Sequence, residues 1–142
     1  MTVTAPFHLA FPVTDLEETR RFYQDVLGCS LGRSDSHWID FNLFGHQIVA
    51  HQVETMPEPA FNPVDSEQVP VPHFGVVLSM DKWRALVDRL GASGVQFEIE
   101  PTIRFQGTPG EQATCFFRDP CGNALEFKAF ADPDNLFQPF AE

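Results

Sequence analysis

The chain has 142 residues, 43 % of them hydrophobic and 15 of them phenylalanine, enough for one domain around an aromatic-rich core. No apolar run approaches the roughly 20 residues a membrane-spanning helix needs, and Met1–Pro6 lacks the basic-then-apolar pattern of a secretory leader, so a cytoplasmic protein is expected. With 9 basic against 20 acidic side chains the net charge is −11, a field that repels phosphate backbones and argues against a nucleic-acid partner.

The first element is a short apolar strand, His8-Leu9-Ala10-Phe11-Pro12-Val13, closed by a hydroxyl residue and an acid. Thr14-Asp15-Leu16-Glu17 reads as a capping box that satisfies the first amides of a helix. Phe22, Tyr23, Val26 and Leu27 give that helix an apolar face, and Gly28 ends it as a left-handed cap. The period then changes to two, so Trp38–Phe44 and Gln47–Val53 form a hairpin around Gly45-His46. Segment 54–72 carries Pro57, Pro59, Pro63, Pro70 and Pro72, which excludes a helix or a central strand and leaves a linker or a lid.

The second half opens as the first did, on His73-Phe74-Gly75-Val76-Val77-Leu78-Ser79-Met80-Asp81. Trp83, Leu86, Val87 and Leu90 follow at helical spacing, with Gly91 or Gly94 as the stop. Val95–Glu100 and Gln112–Arg118 read as strands, Asp119-Pro120-Cys121-Gly122-Asn123 as a tight turn, and Ala124–Phe130 as the last strand. The chain is therefore an internal repeat of two β-α-β-β-β modules, an α+β fold, with the second strand of each module the least marked. The expected divisions are module one over 4–53, the linker or lid over 54–72, module two over 73–131 and a tail over 132–142. Cys29, Cys115 and Cys121 cannot all pair within the chain, which fits a reducing compartment.

Side chains alternate across a strand, so His8 shares a face with Ala10 and Pro12, and His73 with Gly75, Val77 and Ser79. Glu126 shares a face with Ala124 and Lys128, while Leu125 and Phe127 point the other way toward the helices. Two imidazoles and one carboxylate at equivalent places of a duplicated unit are donors that suit iron(II), and serve zinc, manganese or nickel as well. Three protein ligands leave positions open for water, dioxygen or substrate. Asp40 and Asn42 share parity and are expected on the solvated side of their strand.

Paired βαβββ modules, a His leading the first strand of each, and Asp-Pro-x-Gly-Asn-x-x-Glu at the last strand resemble the vicinal-oxygen-chelate superfamily over about residues 4–131. That superfamily includes glyoxalase I, type I extradiol dioxygenases, fosfomycin-resistance enzymes and bleomycin-binding proteins. The resemblance implies a concave half-barrel per module, a divalent metal on His8, His73 and Glu126, and a homodimer. Glyoxalase I has a further carboxylate ligand where this chain has Val49, and His51, two residues on, is then a candidate fourth ligand or acid–base residue. Extradiol enzymes carry a tyrosine where Phe116 stands, so Phe116 is expected against substrate, with Arg104 and Lys128 available to neutralise an anionic one.

The leading expectation is an iron(II)-dependent dioxygenase of the extradiol type, whose substrate chelates the metal through two adjacent oxygens. An alternative is a lyase, isomerase or transferase whose zinc, manganese or nickel acts as a Lewis acid. A third is a metal-free protein that sequesters a drug-like small molecule.

Overall fold

The computed structural model describes residues 5–139. Their contacts divide the chain into two compact units, one built from residues up to 58 together with 119–123, the other from 59–118 together with residues from 124 onward.

In the first unit, β1 (His8–Val13) leads through α1 (Leu16–Arg21) and a π-helical turn at Phe22–Val26 into β2 (Ser30–Ser34), β3 (Trp38–Leu43) and β4 (His46–Gln52). The sheet order is β1-β4-β3-β2, with β1 parallel to β4. Phe11, Val13, Ile39, Phe41, Leu43, Ile48 and Ala50 are buried on one face, and Asp40 and Val49 are buried on the other. The helix cap departs from expectation. Asp15 keeps extended backbone and its carboxylate accepts from the Glu18 amide at 3.0 Å, so the cap is Asp15. Thr14, one residue too early for that role, turns its hydroxyl toward the Cys121 sulfur. Gly28, at φ +82°, ends the helix as expected.

Tyr23 is wholly buried against the rings of Phe11 and Phe41 and donates its phenol proton to Asp119 Oδ2 at 2.8 Å. Asp119 opens the predicted tight turn: its Oδ1 accepts from the amides of Cys121 and Asn123 at 3.0 and 2.9 Å. Asn123 in turn donates from Nδ2 to the Pro12 carbonyl at 2.7 Å. Within the turn buried Asp119 pairs with the amides of Cys121 and Asn123, while Tyr23 and the Pro12 carbonyl tie it to the rest of the unit.

In the second unit, β5 (Ala60–Val64) and β6 (Glu67–Val71) form a two-stranded hairpin, followed by β7 (His73–Phe74), α2 (Met80–Ala92), β8 (Phe97–Arg104), β9 (Gln112–Arg118) and β10 (Ala124–Phe130). The main sheet runs β7-β10-β9-β8, with β7 parallel to β10. The proline-rich segment is therefore structured rather than a plain linker. Each of its strands pairs only with the other, so Pro63 and Pro70 cost no interior ladder bond. Asp65 and Ser66, at φ 49° and 67°, make the tight primed turn that such a hairpin prefers. Val69 of β6 packs on Ile99 and Phe116, which fastens the hairpin to one face of the main sheet. Ser79 caps α2, Trp83, Leu86 and Leu90 are its buried stripe, and Gly94 at φ +78° follows its end. The predicted strand over 95–100 instead runs from 97 to 104 and carries two register shifts against β9. No helix among the described residues is long and apolar enough to cross a membrane.

The repeat holds at the level of register. His8 pairs with Gln47 across the β1–β4 ladder, and His73 pairs with Ala124 across β7–β10. Matching these rungs equates Val49 with Glu126, Asp40 with Phe116, and His51 with Lys128. Replacing Tyr23 with Phe is expected to destabilise the protein by about 1.5–3 kcal/mol, because a hydrogen bond to a buried carboxylate is lost; urea denaturation checks this.

Candidate metal centre

His73 and Glu126 meet in the second unit. His73 Nε2 lies 3.1 Å from Glu126 Oε1, and the two side chains are 30 % and 11 % exposed. On its other side, His73 Nδ1 is 2.7 Å from the Pro70 carbonyl. A carbonyl oxygen only accepts, so Nδ1 carries the proton and Nε2 presents its lone pair toward Glu126. A second proton on Nε2, or a cation lying between the two atoms, satisfies that pair. The 3.1 Å separation is that of neighbouring donors on one cation bound at about 2.0–2.2 Å, so the pair fits a divalent metal.

Each group is held from behind. Glu126 Oε2 accepts from the Thr114 hydroxyl, and Lys128 Nζ stands 4.0 Å from Oε1. The His73 ring meets Phe116 edge-on, with centroids 5.0 Å apart. Phe116, expected against substrate, is itself only 2 % exposed because Val69, Ile99 and the His73 ring cover it. The Glu126 bond is the largest influence on His73 and raises its pKa above the ordinary 6.5, burial opposing it. For Glu126, burial pushes the carboxyl up, but the bonds from His73 and Thr114, with Lys128 beside them, outweigh it and hold the pKa below the ordinary 4.5.

His8 lies in the first unit, exposed, with Nδ1 2.8 Å from Gln47 Oε1. Gln47 Nε2 donates to Asp40 Oδ2 at 3.2 Å. Asp40 is not on a solvated side as expected. It is 8 % exposed, and β2 passes so near that a Cβ at Gly32 would stand 2.9 Å from the Asp40 Cβ. Asn42, at the exposed end of β3, accepts from the Gly45 amide and shapes the hairpin turn. His51 is exposed on β4, opposite Pro12 and Trp38. It is four residues beyond Gln47, roughly 13 Å along the strand from the rung that holds His8. Arg104 ends β8 opposite Gln112, and its Nη2 is buried with no hydrogen-bond partner among the described residues. Within neither unit do three His, Cys, Asp or Glu side chains of the described residues gather into a metal-ligating group.

These paired βαβββ modules match the family model described as Glyoxalase/Bleomycin resistance protein/Dioxygenase superfamily over residues 6–127. The chain belongs to that superfamily. A crystal structure of a glyoxalase/bleomycin resistance protein/dioxygenase from Alicyclobacillus acidocaldarius is similar to it with a TM-score of 0.79 and 32 % identity, covering 94 % of this chain and 97 % of that one. The metallothiol transferase FosB of Lysinibacillus sphaericus is 26 % identical over 136 residues, 96 % of this chain and 89 % of the relative. The fosfomycin resistance protein FosX of Listeria monocytogenes, crystallised with Mn(II) and sulfate, shares the fold with a TM-score of 0.67 at 18 % identity, over 95 % of this chain and 97 % of that one.

Thr114, Gln47 and the Pro70 carbonyl were not singled out from the sequence. Thr114 was within reach, since it shares parity with Phe116 and stands opposite Lys128. A backbone carbonyl on a separate hairpin leaves no such trace.

Two outcomes follow. A folded-state pKa raised at His73 gives stability that is fully present below pH 6.5 and lost as pH rises through the raised value. A pKa lowered at Glu126 gives stability present above pH 4.5 and lost as pH falls through the lowered value. The metal-free protein should therefore draw full benefit from the pair between pH 4.5 and 6.5. Glu126→Gln should flatten that profile, as read by denaturation across pH. Gly75 stands one rung beyond Phe74, where a Cβ would fall 1.6 Å from the Glu126 carbonyl oxygen. Gly75→Ala should push β7 from β10, cost about 1–3 kcal/mol by overpacking, and erase the same pH signature.

Proposed function

We propose that this chain is a metal-dependent enzyme acting on a small anionic substrate, with one divalent cation held by His8, His73 and Glu126. The observation that carries the reading is the His73–Glu126 pair, spaced as chelating donors and backed by Pro70 and Thr114. When bound, such a cation acts as a Lewis acid that polarises a substrate oxygen. The Lys128 ammonium, 4.0 Å from Glu126, receives a negative group of the substrate beside that oxygen. Arg104 stands four rungs along and two strands over from Glu126, roughly 17 Å between Cα atoms by strand geometry. Its orphaned Nη2 suits a second, more distant acceptor.

Manganese, zinc or nickel serves this chemistry as well as iron. The relative named a metallothiol transferase supports group transfer, with a thiol as second substrate. An iron(II) dioxygenase is the second reading, because two imidazoles and a carboxylate also suit iron(II) with dioxygen. Its candidate base, His51, stands two residues beyond Val49 on β4, the place that Lys128 holds two residues beyond Glu126 in the second module, and as a base its ring would have to reach the reacting group within about 2.6–3.2 Å. Drug sequestration without metal leaves the chelating pair unexplained. The working form is proposed to be a homodimer, as the family resemblance implies.

Anaerobic dialysis against Mn(II), Zn(II), Ni(II) and Fe(II), read by elemental analysis, should give one metal per chain. His73→Ala and Glu126→Gln should each weaken binding by more than about 100-fold, beyond what losing a supporting partner costs. Lys128→Ala should keep the metal and raise KM for anionic substrates in a screen of thiols with electrophilic partners, catechols and 2-oxo acids. Full occupancy in both ligand variants would remove the site, and turnover that strictly consumes oxygen would favour the dioxygenase.

A further inference from the structure

We propose that Gln47 and Asp40 are positioning residues that hold His8 in one tautomer, with Nε2 as its metal-binding atom. The inference rests on the metal reading above. Asp40 is a carboxylate and can only accept, so the Gln47 group 3.2 Å from it is the NH₂ end of the amide. That assignment turns Gln47 Oε1 toward His8 Nδ1, 2.8 Å away. Oε1 can only accept in its turn, so Nδ1 carries the ring proton and Nε2 holds the free lone pair.

The chain of bonds lies on one face of a paired sheet. His8 and Gln47 stand directly opposite one another, and Asp40 is the diagonal neighbour of Gln47 on β3. Its far end is anchored, because Asp40 is buried and Gly32 lets β2 lie against it. Comparison of the modules shows why His8 needs this support. His73 is steadied by the Pro70 carbonyl and the Phe116 ring. The rungs equivalent to Asp40 and Gln47 hold Phe116 and Ala124 there, which form no hydrogen-bonded chain of side chains. His8 is exposed, and among the hydrogen bonds described its ring has Gln47 as partner. The two modules orient their histidines differently, the second from a hairpin carbonyl and the first from within the sheet.

The test measures Mn(II) affinity of the full chain by paramagnetic resonance, together with ¹⁵N chemical shifts of the His8 ring in metal-free protein. Gln47→Leu should weaken Mn(II) binding 10- to 100-fold, the range typical of partners behind a ligating histidine. It should also turn the His8 signals from one tautomer to a mixture, in a protein that stays folded but has a lower thermal midpoint because buried Asp40 loses its donor. The double variant Asp40→Asn/Gln47→Glu reverses donor and acceptor between those two positions yet still offers His8 an acceptor, and should recover affinity to within about threefold by retaining the bond to Nδ1. Wild-type affinity in Gln47→Leu, while His8→Ala loses Mn(II), would overturn the positioning role and leave the ligand reading intact. Wild-type affinity in His8→Ala would instead overturn the ligand reading, and this inference with it.

Discussion

Everything at the candidate site follows from the parallel pairing of the first and last strands of each module. In a parallel ladder the side chains of matched rungs point the same way, so a histidine leading the first strand and a carboxylate on the last share one face. The β7–β10 register sets Glu126 two residues beyond the partner of His73, and the pair closes to 3.1 Å. In the first module the same register sets Val49 two residues beyond the partner of His8. One frame thus presents a chelating pair in one copy and a single imidazole in the other.

Around that frame the chain gives each donor one commitment that leaves a chosen atom available. Pro70 takes the Nδ1 proton of His73, Thr114 takes Oε2 of Glu126, and Gln47 takes the Nδ1 proton of His8. Thr114 is buried, so its bond fixes the geometry of Glu126, whereas His8 and Gln47 are exposed and their bond sets a tautomer. The hairpin of β5 and β6 has a double role here. Its apolar residue Val69 fastens it to Ile99 and Phe116, and its Pro70 carbonyl then stands at a set distance from His73.

The electrostatics of the pair follow from partial burial beside specific partners. Burial alone would favour a neutral Glu126, yet the hydrogen bonds from His73 and Thr114 reverse the sign. The same bond charges His73 more readily. A proton and the proposed divalent cation would therefore compete for one place, so the proposed metal affinity would rise with pH until His73 is neutral.

Periodicity and turn chemistry in the sequence determined much of this. The last strand over 124–130, the helix carrying Trp83, Leu86 and Leu90 and the turn at 119–123 lie where hydrophobic period and turn residues placed them. Parity along the strands by itself puts His73, Glu126 and Lys128 on inward faces of their strands. These are local properties, written in residues near one another in the chain. What only the tertiary structure decided depends on long-range partners. The hairpin within the proline-rich segment needs its strands to pair at open edges, and Asp40 is buried because β2 crosses it at Gly32. Phe116 became support for an imidazole because register converts sequence spacing into contact. A carbonyl such as that of Pro70 carries no side-chain signature, so only the folded chain shows which imidazole it holds.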